Sequence, residues 1–161
     1  MSFSADVKSE LCRDNPVQKK CCACAECYGI LLYCNTFTAR EIRIITGSDS
    51  FAARIPRLFR RAFGFSPAEQ APAGSSKHSF VISDAGRIAR IFHTYGFAPD
   101  TTLQHHINLA VLEDECCRAA FVRGAFLAGG SITDPSKRYH LELVTDHASV
   151  SREAYSILLG M

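Results

Sequence analysis

Residues 21–37 read CCACAECYGILLYCNTF, and residues 116–132 read CCRAAFVRGAFLAGGSI. Set one above the other at an offset of 95 residues, they share a stripe: Cys22 with Cys117, Ala25 with Ala120, Gly29 with Gly124, Leu32 with Leu127. Steps of three, four and three put that stripe on one face of a helix. Its residues are mostly small, and small residues let two helix backbones approach closely. Two helices carrying the same stripe are expected to pack against each other about a pseudo-twofold axis, through a self-complementary interface.

The repeat continues beyond the helices. IRIITGSDSFAARI, from Ile42, matches LELVTDHASVSREA, from Leu141, at an offset of 99, with Thr46 opposite Thr145. The four extra residues fit a longer hairpin turn at TDPSKR. Each half therefore begins helix, hairpin, helix. The first half, about 16–98, adds a further strand region and a helix; the second, about 113–161, ends before the equivalents. The fold class is α+β.

Local signals fill in the elements. SFSADVKSELC reads as a helix capped by Ser4, with Phe3, Val7 and Leu11 on one face. Asn15 reads as an N-cap, with Pro16 opening the helix that runs to about Cys34. Ser48 or Asp49 starts a helix through FAARIPRLFRRAFG, which Pro56 should kink. HSFVIS is a strand, and DAGRIARIFHTYGF a helix capped by Asp84 and closed by Gly96. SPAEQAPAGSS is loop, APDTTLQHHIN a connector. A long helix runs from Glu113 to about Gly129, then strand RYHLELVT and helix ASVSREAYSILLG.

Composition narrows the classes. At 161 residues and 47% hydrophobic, the chain suffices for one core. Its net charge of +2 is too balanced to argue a nucleic-acid partner by itself. The polar opening MSFSADVKSE lacks a signal-peptide core, and no apolar run is long enough for a membrane span, so the expectation is a cytoplasmic protein with no membrane partner. Eight cysteines in that setting point to thiols rather than disulfides. No P-loop, dinucleotide fingerprint or Ser-His-Asp arrangement is present.

The cysteines of residues 21–34 admit three readings: a metal site, a redox switch, or packing. The repeat favours packing, because the second helix has Ala119 and Val122 where the first has Cys24 and Cys27. Cys21, Cys24 and Cys27 also spread over too much of a helix circumference for converging ligands. No metal is expected on Cys21, Cys22, Cys24 and Cys27, and no cofactor elsewhere.

The segment RGAFLAGGSITDP, with MSFSADVKSEL, KKCC and YHLELVTD, resembles the WhiA family of bacterial sporulation and cell-division transcription regulators, over essentially all 161 residues. The resemblance implies a domain similar to LAGLIDADG homing endonucleases: two α-β-β-α-β-β-α halves around a motif-helix pair, with a saddle-shaped antiparallel sheet over DNA. It also implies a C-terminal helix-turn-helix domain, which this chain is expected to lack. Aligned with LAGLIDADGSF, the motifs are CYGILLYCNTF (27–37) and VRGAFLAGGSI (122–132). The family nucleases' metal-binding acid then falls on Cys34 and Gly129. Neither supplies the carboxylate that a hard divalent cation requires, so an active nuclease is not expected.

Other acids have plainer readings. Glu26, Asp114 and Glu115 read as acids near helix starts, where the macrodipole favours them, and Asp134 as a turn residue. His105 and His106 read as connector residues, and RLFRRAFG as a solvated helix face. The strands look more useful: Ile42 and Ile44 should point inward with Leu141 and Leu143 as equivalents, leaving Glu41, Arg43, His140 and Glu142 on a polar face. Arg40, Arg43, Lys137, Arg138 and His140 are the candidate DNA-binding residues. The expected function is a non-catalytic DNA-binding domain, nucleoid-associated, whose partners are DNA and other regulatory proteins. The alternative is a ligand-sensing or protein-interaction module on the same scaffold.

Overall fold

In the computed structural model, residues 2–70, 76–97 and 106–161 are described. Two apolar helices organise the rest: α2 (Lys20–Tyr33) and α5 (Glu115–Gly129). They lie side by side along their length and form the main packing interface of the chain. Ten residues of α2 are buried, on all sides of the helix, which is what a central helix needs and a surface helix does not.

The first half wraps α2. After it come β1 (Thr36–Phe37), β2 (Ile42–Thr46), α3 (Asp49–Phe63), β3 (Ala68–Glu69), β4 (His78–Ile82) and α4 (Ala85–Thr94). The four strands form one antiparallel sheet in the order β1-β2-β4-β3, with Ile44 opposite Phe80 in the central pair. The second half follows a 3₁₀ turn at Leu109–Leu112 and has α5, β5 (Gly130–Ile132), β6 (Leu141–Leu143) and α6 (Ala148–Leu159). Its β5 and β6 pair antiparallel as a separate two-stranded sheet among the described residues.

Several caps form as the sequence dictates. Ser48 accepts a hydrogen bond from the Phe51 N–H, and Asp84 from the Arg87 N–H. Gly64 and Gly96 adopt left-handed φ angles of 83° and 77° just beyond α3 and α4, where a side chain would be strained. Pro56 lies within α3, which continues through it.

The N-terminal region departs from expectation. Helix α1 (Phe3–Asp14) is capped by Ser2, not Ser4, and buries none of its residues. The Ser4 hydroxyl instead donates to the Ile132 carbonyl at 2.8 Å and accepts from the Ile132 N–H at 2.7 Å, tying α1 to β5. Nor does Asn15 open the next helix. Its side chain donates to the Leu11 carbonyl at 2.8 Å, closing α1, and α2 starts only at Lys20 with no side-chain cap.

An aromatic group joins the halves. Tyr28 stacks on Tyr95 with ring centroids 4.2 Å apart and meets Phe121 edge-on. The Tyr28 hydroxyl donates to the His106 carbonyl and accepts from the Asn108 N–H, so its burial leaves no polar atom unpaired. Residues 98–105 of the connector, including His105, and residues 71–75 of the expected loop lie outside the described residues.

Candidate functional site

The helix pair supplies the reference frame. A Cβ on Gly29 would stand 2.1 Å from the Phe121 carbonyl oxygen, and one on Gly124 would stand 2.1 Å from that of Glu26. Glu26 and Phe121 are themselves equivalent at the 95-residue offset, so the contact is reciprocal, as a twofold interface requires. Cys117, Ala120 and Leu127 are buried on α5, and Ala25 and Leu32 on α2, with Cys22 half-buried. The hairpin repeat holds too: Thr46 Oγ1 accepts the Ser48 N–H, and Thr145 Oγ1 accepts the His147 N–H. Cys21 and Cys22 meet Cys116 and Cys117 at one end, while Gly129 meets Tyr33 at the other, so the helices run parallel.

At their C-terminal end stand Cys34 and Gly129. The Cys34 thiol lies 3.2 Å from the Leu31 carbonyl and 3.3 Å from that of Thr36, and burial pushes it up to about 12. It is a protonated thiol serving local carbonyls. A Cβ on Gly129 would come within 2.6 Å of the Val144 carbonyl oxygen and 3.0 Å of the Tyr33 carbonyl oxygen. The second position therefore has no room for a side chain. Two positions without a carboxylate do not fit a hard divalent cation.

Below these positions the two hairpins carry the candidate cations. Arg40 is exposed in the β1–β2 turn, where the Thr38 hydroxyl accepts its N–H. Arg43 is half-buried on β2 and donates to Glu41 at 2.8 Å, which offsets its charge. Lys137 and Arg138 are exposed in the β5–β6 turn, each donating its N–H to the Asp134 carbonyl. The N–H and hydroxyl of Ser136 hold the Asp134 carboxyl below its ordinary value. His140 is exposed, 3.8 Å from Glu142.

The apolar face differs between the halves. Ile42 and Ile44 are 1% and 2% exposed, but Leu141 is 52% exposed and Leu143 half-buried. Leu141 lies on a two-stranded sheet and borders a groove of about 430 Å³ with Tyr33, Leu143, Tyr155 and Leu158. The expected equivalence holds in backbone and fails in burial.

Glu26 is the residue most misread from sequence. It lies in the middle of α2, not at its start, and is 1% exposed. Arg54 of α3 grips both carboxylate oxygens, at 2.6 and 2.9 Å, and Arg123 of α5 donates at 2.7 Å. Arg54 also donates to the carbonyls of Cys12 and Asn15, and Arg123 to the Asn15 side chain at 3.1 Å. Arginines from α3 and α5 thus converge on one carboxylate of α2, and Cys12 and Asn15 hold the arginines in turn. The only hint in the sequence was an acid inside an apolar helical run. Asp114 and Glu115 do lie at the start of α5. His106 contacts Glu153 at 3.1 Å. On α3, Arg57, Arg60 and Arg61 face solvent as expected, while Arg54 does not.

The cysteines sort differently from the expected set. Cys27 is buried in the core and Cys24 packs against it. Cys21 and Cys22 instead gather with Cys116 and Cys117, the four sulfurs all within 4.8 Å of one another. The contact with Cys22 holds Cys116 below its ordinary value, while burial pushes Cys22 up to about 11 and Cys117 higher still.

A reciprocal parallel helix pair, each member running into an antiparallel hairpin, defines a LAGLIDADG-like domain. Residues 118–160 match the family model described as the WhiA LAGLIDADG-like domain. Over 99% of its length the chain is 38% identical to a "Probable cell division protein WhiA" of Ruminiclostridium cellulolyticum, covering 53% of that protein. A namesake from Carboxydothermus hydrogenoformans is 31% identical over 98% of the chain, again with 53% of its own length covered. The full-length DUF199/WhiA crystal structure from Thermatoga maritima aligns with all of the chain and 51% of its own, at a TM-score of 0.70 and 18% identity. The chain is similar to these WhiA proteins over nearly all of its length, and it spans about half the length of the curated relatives it matches.

Proposed function

We propose that this chain is a non-catalytic, DNA-contacting domain of a WhiA-type regulator of cell division and sporulation, acting in the cytoplasm on the nucleoid. The observation that carries the reading is the pair of former acid positions. Cys34 turns its thiol to backbone carbonyls, and Gly129 is closed by the backbone of Tyr33 and Val144. A scaffold that keeps the helix-pair glycines and has no carboxylate at either position holds DNA without cutting it.

The contact surface is the polar face of the two hairpins, through Arg40, Arg43, Lys137, Arg138 and His140. Arg43 and His140 have carboxylate neighbours, so the attraction is modest and electrostatic. Supercoiled plasmid incubated with the pure chain and Mg²⁺ or Mn²⁺ is expected to stay intact; metal-dependent nicking by clean protein refutes the reading. No described helix is long and apolar enough to cross a membrane.

One observation favours a second reading, a protein-interaction module. Leu141, Val144, Tyr155 and Leu159 of the second half are 52–71% exposed, the kind of apolar surface that marks a protein contact. That reading predicts no salt-dependent DNA binding by the chain.

A further inference from the structure

The far end of the helix pair carries a second cluster of chemistry. Cys21 and Cys22 occupy the first turn of α2, and Cys116 and Cys117 the first turn of α5. Because the helices run parallel about the pseudo-axis, both pairs arrive at the same end and straddle that axis. They are some twelve residues up α2 from Cys34, about 18 Å along a helix, so this site is separate from the hairpin face. We propose that Cys21, Cys22, Cys116 and Cys117 form a tetrathiolate site for one zinc ion, which clamps the N-terminal ends of the motif helices together.

The geometry suits one ion. Tetrahedral zinc with four sulfurs at about 2.3 Å sets the sulfurs about 3.8 Å apart. Here all four lie within 4.8 Å, so closure needs shifts of an ångström or less. A four-iron cluster places its own irons and sulfides between the thiolates and would hold them farther apart. Four soft sulfur ligands without a carboxylate select zinc over magnesium or calcium.

The electrostatics suit it as well. Four thiolates on Zn²⁺ carry a net charge of −2. Two helix N-termini point at that charge, each equivalent to roughly half a positive charge. Neither Lys19 nor Asp114, the capping positions, makes a side-chain cap. Lys19 adds positive charge beside Cys116, against Asp114. A cavity of about 240 Å³, lined by Lys19, Glu26 and Arg123 among others, reaches the cluster at Cys22. On binding, four Zn–S bonds form and each S–H proton passes to solvent.

The test uses the whole chain, purified under reductant without air. Elemental analysis is expected to show one zinc per chain. The apo chain titrated with Co²⁺ should develop the charge-transfer and d–d absorption of tetrahedral cobalt thiolate, saturating at one equivalent and bleached by zinc. Zinc should raise the melting temperature by roughly 5–10 °C. Cys21→Ser and Cys116→Ser alter exposed thiols, so the fold survives; each should weaken cobalt binding at least tenfold, while Cys24→Ser leaves it unchanged. A fully reduced apo chain without a cobalt spectrum at one equivalent overturns the proposal. So does stoichiometric iron with sulfide, or a Cys24→Ser loss as large as that of Cys21→Ser.

Discussion

Gly124→Ala separates two effects of opposite sign. Helix propensity alone predicts a gain, because alanine is better than glycine inside a helix by about 1 kcal/mol. Packing predicts a loss. The new Cβ would lie 2.1 Å from the Glu26 carbonyl oxygen, where ordinary contact begins at 3.4 Å, so α2 and α5 must part by about 1.3 Å. The obstructing atom is backbone in a buried helix and has no rotamer to move to. Overpacking of this kind costs about 1–3 kcal/mol, more when the backbone must shift. The upper end exceeds the propensity gain, leaving a net loss of about 2 kcal/mol, or a melting temperature lower by about 4–8 °C. Urea unfolding measures it as a lower midpoint at unchanged slope. Gly29→Ala should behave alike, and the double variant should lose less than the sum, because one separation relieves both clashes. Gly47→Ala, with nothing within 4 Å of its Cβ, is the control and should fall within about 0.5 kcal/mol of wild type. A neutral or stabilised Gly124→Ala would refute the close approach.

Two more outcomes follow from the buried and exposed charge pairs. Glu26→Gln leaves Arg54 and Arg123 without their shared carboxylate and should cost about 3–5 kcal/mol by urea unfolding; a loss below 1 kcal/mol would show that the network is not closed. His78 bridges Glu69 and Asp49, which hold it above its ordinary value. Its stabilisation is complete below pH 6.5 and lost as pH rises through the raised value. The wild-type urea midpoint should therefore fall across that window relative to His78→Gln, and parallel pH profiles would contradict the assignment.

What was legible followed from identity and spacing. The 95- and 99-residue offsets named the helix pair, its glycines and the two threonine turns, because a twofold interface imposes the same residues on both halves. Ser48 and Asp84 were readable because capping is local. Ser4 was read as the cap of α1 and is not, because the distant Ile132 claims its hydroxyl and Ser2 caps the helix instead. The role of Glu26 depended on Arg54 and Arg123, 28 and 97 residues away, which no local pattern connects. The cysteines were weighed along one helix, whereas their grouping is a property of two. Leu141 was read by strand alternation, which fixes the side a residue faces but not what covers it.

The central claim is that the scaffold holds DNA by charge and does not cut it. A fluorescence titration of the chain with duplex DNA across a salt series, beside Lys137→Ala/Arg138→Ala, tests it most directly. The account predicts modest affinity that falls steeply with salt, weakened similarly for unrelated sequences by the substitutions, with the slope lower by about 0.9 for each phosphate no longer neutralised. Tight binding insensitive to both salt and the substitutions, or no binding at the lowest salt, would contradict it.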